Sequence, residues 1–377
     1  MMLRDSAFLT ALCIVFVCLG CPDFVSGEIK HPGVAHSSDD FEFVKQKIAE
    51  KQQPWIGAWR QLKKSKFASL SYQPNPYEEV VRGSYNNPDI GSTEFSRDGR
   101  AAYVHALIWM IGEDVDHARK ATEILDAWSG KLKKITDHDA RLLAGMSGYH
   151  YCIAAELMKH GWDGWPESSQ TKFRQMMLKV WYPLVKDLYP SANGNWDASM
   201  MQLMMAIGVH SDDQELIDRV AEYFLNGVGN GAVGNYFNDI GQCQESGRDQ
   251  AHSQMGLEFL SNTCQTAWIQ GVDLYSAKAN RLLKGFEYTA KYNLGEEVPF
   301  KKFPSYEGRY DYPSISDKAR GRFRPTYEKV VRHYQVNQGI SAPHSQQAAK
   351  RLRELKSRRD NTARVIDILM FATEPLN

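Results

Sequence analysis

Apolar residues recur at helical spacing along almost the whole chain, and no convincing period-two strand interrupts them. Ala118, Ala121, Leu125 and Trp128 follow i, i+3, i+7 and i+10, and Leu216, Val220, Tyr223, Phe224 and Gly227 repeat the pattern. This spacing predicts helices over Asp39 to Gln53, Trp55 to Ser69, Arg97 to Ile111, Asp114 to Ser129, Ala140 to His160, Ser168 to Leu188 and Asn195 to Val209. Others are expected over Asp212 to Asn226, Asp249 to Gln270, Leu274 to Lys291, Pro325 to His333, and a broken stretch from Ser345 to Phe371. About twelve helices joined mostly by short turns must pack as antiparallel neighbours, which leaves an open solenoid or a closed ring of hairpins. A solenoid shows a fixed repeat period, and none is found. Irregular helix lengths and the Gly-rich break Asn226 to Gly234 favour the ring. The expectation is an all-α, single-domain (α/α)n toroid, an incomplete α/α barrel of about six to seven helical hairpins. Two longer stretches, Ser71 to Thr93 and Gly295 to Arg324, are expected as functional loops over the cavity.

The N-terminus reads as an export signal. After Arg4, the 13 residues Ala7 to Leu19 are apolar apart from Thr10. They are too short to span a bilayer but suit a signal core, with small residues Val25-Ser26-Gly27 before a mature start at Glu28. Residues 1–27 are therefore assigned to a signal peptide and 28–377 to the toroid, with a secreted or periplasmic destination. Lipid attachment at Cys21 is the alternative, but Cys18 stands where a lipobox wants Leu. Lys plus Arg and Asp plus Glu both number 45, and removal of the signal leaves 44 against 43. That balance argues against nucleic-acid binding by bulk charge, and no membrane span is expected. Only Cys152, Cys243 and Cys264 remain after the signal, too few for a disulfide framework and best read as buried small hydrophobes. The eleven His include no HExxH and no close pair at ligand spacing, so neither a metal nor another cofactor is expected. The basic run Lys350 to Arg359 reads as a solvated helix face.

Two segments hold polar residues that a helical core does not need. Asn193-Gly194-Asn195-Trp196 opens a Met-rich helix; one Asn is explained as a cap, but two Asn and a Trp are not. In Gln242-Cys243-Gln244-Glu245-Ser246-Gly247-Arg248-Asp249-Gln250-Ala251-His252, Arg248 and His252 stand four apart. On a helix they share one face, continued by Met255, Phe259, Thr263 and Ala267. A buried Arg must be paired, and Glu245 or Asp249 can do so. A structural pair of this kind and a cationic site beside a neutral imidazole both fit these residues.

The hairpin Ala101 to Ser129 resembles the alginate-lyase-type α/α toroid domain. The NGNW segment, the QESGRDQAH segment and Arg320-Gly321-Arg322-Phe323-Arg324-Pro325 resemble polysaccharide lyase family 38 within that superfamily, over roughly Trp55 to His344. The resemblance implies β-elimination on a uronic acid polymer, alginate first and glucuronan as the close competitor. An acidic polysaccharide is then the partner. Such chemistry must neutralise the uronate carboxylate, remove the C5 proton and protonate the departing O4. By resemblance, Asn195 binds the carboxylate with help from Arg248, and His252 serves as base. The acid is a Tyr from the loop after Gly295, Tyr306 first and Tyr310 second. A Tyr acting as both base and acid, with His252 only positioning the carboxylate, stays open. Trp196 is a candidate for stacking on a sugar ring. Asn193, Gln244, Glu245, Arg309 and Arg322 are candidates for subsite contacts, and Arg248, Arg309 and Arg322 together predict a local cationic cleft.

Rival readings on the same fold are a glycoside hydrolase and a non-catalytic glycan-binding protein. A hydrolase needs two carboxylates flanking a bond, and Glu245 and Asp249 look more like support for Arg248. A binding module has no need of the His, Arg and Tyr set.

Overall fold

The computed structural model describes residues 27–355 and 360–373. The signal reading, with Cys13, Cys18 and Cys21, lies outside them apart from Gly27, as do residues 356–359 of the basic run. The chain opens with α1 (Ser38–Ala49) and α2 (Trp55–Lys63), followed by strands β1 (Glu79–Arg82) and β2 (Asp89–Ile90). Then come α3 (Ser92–Gly112), α4 (Val115–Lys131), β3 (Lys134–Thr136), α5 (Ala140–Leu143), α6 (Tyr149–Gly161), α7 (Glu167–Met176) and α8 (Tyr182–Val185). The second half holds α9 (Gly194–His210), α10 (Gln214–Asn226), α11 (Val233–Tyr236), α12 (Gln250–Ile269), α13 (Ala277–Asn293), α14 (Tyr327–Val331), α15 (Pro343–Glu354) and α16 (Thr362–Phe371).

Local chemistry sets four of these starts. Ser37 and Asp40 form a reciprocal capping box at α1, and the side chains of Asp114, Asp213 and Asp249 each accept a backbone N–H at the starts of α4, α10 and α12. Periodicity read α9 and α12 to within one residue at each end. It missed a small sheet of order β2-β1-β3, antiparallel at Arg82↔Asp89 and parallel at Val80↔Ile135. Its strands have four, two and three residues, too short to establish an alternating pattern. The stretch Ser71 to Thr93, expected as loop, therefore carries two of the strands.

Four long helices line the inside of the ring, and cross-contacts show that they run parallel. Ser96 of α3 meets Ser147, in the π-helical turn Ala144–Gly148 that leads into α6, and Trp109 of α3 meets Gly161 of α6, at sequence separations of 51 and 52. From α6 to α9, Glu156 meets His210, separated by 54. From α9 to α12, Asn195 meets Met255 and Gln202 meets Asn262, both separated by 60. The outer helices bring the chain back: α4 packs on α3, α7 on α4, α10 on α9 and α13 on α12. Contacts of α14 with α16, α16 with α1 and α2, and α1 with α3 carry the ring back to its start. The core is continuous, with Trp55, Trp128, Trp165 and Trp181 all fully buried. The three cysteines described are buried and unbonded, as read from the sequence.

Candidate active site

The N-terminal ends of α9 and α12 lie side by side, and one buried carboxylate ties them together. Glu245, fully buried, accepts the backbone N–H of Asn195 on Oε2 at 3.0 Å and the guanidinium of Arg248 on Oε1 at 2.7 Å. The Tyr236 hydroxyl donates to Oε2 at 2.9 Å. Gln244, also buried, accepts from the Gly194 N–H at 3.1 Å and donates to the Asn193 side chain at 3.2 Å. Gln244 and Glu245, singled out in the sequence for subsite contacts, thus sit inside the scaffold and brace the start of α9. Close packing enforces the arrangement, since a Cβ on Gly194 would stand 2.2 Å from the Tyr236 ring.

Asn195 has an incomplete set of partners. Its side chain is wholly buried, its Nδ2 reaches only the Met255 sulfur at 3.6 Å, and its Oδ1 has none. A buried amide end without a hydrogen bond costs roughly 1–3 kcal/mol, so such a group marks a position where something else is expected to bind.

Arg248 stands before the cap of α12, not on the helix. The shared helical face inferred from its spacing to His252 is therefore absent, and a turn held by the Arg248 N–H to Glu245 O bond at 2.9 Å presents it instead. Burial works against its charge, but the Glu245 carboxylate outweighs this and holds the guanidinium above its ordinary value. On α12 the half-exposed side carries His252, Met255, Glu258 and Asn262, while Phe259, Thr263 and Ala267 turn into the core.

His252 forms a dyad with the cap residue. Its Nδ1 lies 2.6 Å from Asp249 Oδ2, and its backbone N–H donates to Asp249 Oδ1 at 2.8 Å. Burial would raise the Asp249 carboxyl, but the bonds from His252 prevail and hold it at about 2. The ionised carboxylate fixes Nδ1 as the protonated nitrogen, which leaves Nε2 as a lone-pair acceptor. The side chain is 32% exposed, enough for a ligand to reach that nitrogen.

The loop after Gly295 also brings in Tyr312, which ends the run of tyrosines that the sequence offers for the acid and is unranked there. Tyr312 packs against Gly247, where an added Cβ would stand 2.1 Å from its own Cβ, and its phenol is within electrostatic reach of Arg248. Burial pushes it up to about 12, against the opposing effect of Arg248. Tyr306 is held on the α9 side of the site, its N–H donating at 2.7 Å to the side chain of the buried Asn230, which itself bonds Ala192 O and packs on Gly194. Tyr310 is pinned by Ser305 at 2.8 Å and covered by the adjacent Arg309 guanidinium. Arg309 and Arg322 are exposed on this loop. The expected cluster of Arg248, Arg309 and Arg322 is thus one paired arginine and two on the surface.

Trp196 stands edge-on to His138 at 5.6 Å and to Tyr189 at 5.8 Å. His138 itself bonds Asp139 at 2.7 Å, a second imidazole near the site with no spacing signal in the sequence. Further cations line the ring: Arg82, Arg97 and Arg100 share a hollow of about 210 Å³, and Arg100 also borders a cavity of about 80 Å³ with His150, Glu258 and Lys329. Arg324 pairs with Glu258 beside it.

Among curated proteins, none matches the chain by sequence. Among solved structures, an alginate lyase from Bacteroides ovatus superposes with a TM-score of 0.66 at 12% identity, covering 90% of this chain and 99% of its own. Alginate lyase A1-III from Sphingomonas species A1 gives 0.63 at 15% identity, covering 94% and 100%. A Tyr-to-Phe variant of alginate lyase A1-III complexed with tetrasaccharide gives 0.60 at 15% identity, covering 85% and 92%. These likenesses establish the shared α/α toroid. No described helix is long and apolar enough to cross a membrane. A family model described as alginate lyase matches residues 45–300, well over half of the chain, and the protein therefore belongs to the alginate lyase family and is a polysaccharide lyase.

Proposed function

We propose that the protein cleaves a uronic acid polymer by β-elimination, alginate first and glucuronan second, at the junction of α9 and α12. The observation that carries this reading is the buried, under-bonded amide of Asn195 beside the Arg248 guanidinium and the His252–Asp249 dyad. The substrate carboxylate takes a hydrogen bond from the Asn195 amide, whose two ends are interchangeable in orientation. Donors of Arg248 not engaged by Glu245 add positive charge, so electron density released at C5 is stabilised on the carboxylate. His252 Nε2 removes the C5 proton, the C4–O4 bond breaks, and O4 leaves with a proton from a tyrosine. The packing of Tyr312 on Gly247, the chain neighbour of Arg248, supports that phenol as the acid alongside Tyr306 and Tyr310. The product gains a C4=C5 double bond. The apolar N-terminal run supports export, which would bring the enzyme to an extracellular polymer.

The test is incubation with polymannuronate, polyguluronate and glucuronan while following ultraviolet absorbance of the unsaturated product. New reducing ends without that absorbance would indicate a hydrolase. Binding without either would indicate a glycan-binding protein.

A further inference from the structure

At the opposite ends of α6 and α9 from this site, a fully buried carboxylate is surrounded by imidazoles from three parts of the chain. Glu156 Oε1 lies 2.6 Å from His31 Nδ1, and Oε2 lies 3.0 Å from His210 Nδ1 and 3.7 Å from His160 Nε2. His31 belongs to the segment before α1, Glu156 and His160 are one turn apart on α6, and His210 ends α9. Ligating atoms of His31, Glu156 and His160 all fall within 4.8 Å of one another. Fifteen residues of α9 separate Asn195 from His210, about 22 Å of helix, so the cluster is no part of the proposed catalytic chemistry.

We propose that His31, Glu156 and His160 bind a divalent cation of the zinc class, and that His210, which among the four meets only the Glu156 carboxylate in this structure, turns in as the fourth ligand. Three imidazoles and a carboxylate are a nitrogen and oxygen set suited to zinc, and metal–ligand bonds of about 2.0–2.2 Å put tetrahedral ligands about 3.4 Å apart. The separations of 3.0 and 3.7 Å around Oε2 bracket that value, and the contact of 2.6 Å must open as the metal replaces the proton now shared there. The His31 and His160 rings, stacked at 4.0 Å and 9°, must tilt so that their lone pairs converge. A further detail favours a metal site over a simple ion pair. His31 Nε2, on the far side of the ring, lies 2.8 Å from Asp212 Oδ1. This is the carboxylate–histidine–metal relay that fixes a ligand's tautomer and orientation. Bound there, the ion would clamp the N-terminal segment onto the ring. Five residues further on, His36 in that segment bonds Tyr103 and packs on Phe41 and Phe371.

The experiment uses the full chain, stripped with chelator and titrated with zinc alone by calorimetry, with metal content after dialysis and thermal unfolding as parallel readouts. One zinc per chain and a thermal midpoint raised by several degrees are expected. His31→Ala and His160→Ala should abolish binding, and Asp212→Asn should weaken it about tenfold. His344→Ala alters another imidazole between two carboxylates, Glu287 and Glu296, and should leave the stoichiometry unchanged. Circular dichroism of each variant before titration confirms that it is folded, and His31→Ala, outside any helix, is the variant least able to unfold the ring. Absence of binding at micromolar zinc, or binding retained in both His31→Ala and His160→Ala, would overturn the proposal.

Discussion

Glu245 Oε2 accepts the backbone N–H of Asn195 at 3.0 Å, although fifty residues separate the two in sequence. The same carboxylate holds Arg248, so a single buried side chain sets the distance between the two groups proposed to meet the substrate carboxylate. Substitution of Glu245 by Gln should therefore damage both the fold and the site. Loss of one partner from a buried ion pair costs about 3–5 kcal/mol, and the lower end is expected because Arg248 reaches solvent. Denaturant unfolding measures the first effect. A rise in KM for a fraction that remains folded measures the second.

Asn195→Ala should leave stability nearly unchanged, since the side chain makes only a weak bond to sulfur, while lowering kcat by about 10²–10³. Asn195→Asp should be worse still, because a second carboxylate would face that of the substrate. Steady-state rates of unsaturated product formation decide this, and full activity in both variants would remove Asn195 from the mechanism.

His252→Ala should reduce kcat by about 10²–10⁴, the range for loss of a positioned base. Asp249→Asn retains the helix cap but no longer fixes the imidazole tautomer, so a smaller loss is expected. An unchanged rate in His252→Ala would shift the base role to a tyrosine.

Comparison of Tyr306→Phe, Tyr310→Phe and Tyr312→Phe identifies the acid. The expected outcome is a large kcat loss in Tyr312→Phe alone with KM little altered, because Tyr312 packs on Gly247, the chain neighbour of Arg248. Loss confined to either of the other two variants would return the role to it.

Asp249 also gives a pH signature. Its carboxyl sits at about 2 in the fold, below the ordinary carboxylate range, so its stabilisation is complete above about pH 4 and fades as pH falls through 2. Thermal midpoints of wild type and Asp249→Asn should differ at pH 6 and converge only below about pH 2. A gap that persists at low pH would show that the charge is not the source.

The starts of α9 and α12 are readable because their signals are local, a polar cluster and a helical period within a few residues, although Asp249 caps α12 while the Asn193 side chain bonds Gln244 instead of capping α9. The hairpin repeat was not readable as a period. Its separations drift from 51 to 54 to 60 as loops lengthen, so no two turns of the ring align residue for residue. Arg248 was assigned to a helix face because spacing alone does not reveal that Asp249 is the cap. Tyr312 could be ranked only by its contact with Gly247, which depends on how a long loop folds back. The cluster of His31, Glu156, His160 and His210 has no sequence motif, since three elements supply it. Among these ligands only Glu156 and His160 share a helix.

The parallel course of α3, α6, α9 and α12 gives the molecule an electrical axis. Each helix carries roughly half a positive charge at its first turn and half a negative charge at its last. Four aligned dipoles turn a chain with 45 basic and 45 acidic residues into a polar object, with one rim suited to a polyanion and the other to a cation. Attraction of this origin resides in peptide bonds and cannot be titrated away. Capture of an acidic polymer should then depend less on pH than it would for a surface built from histidines.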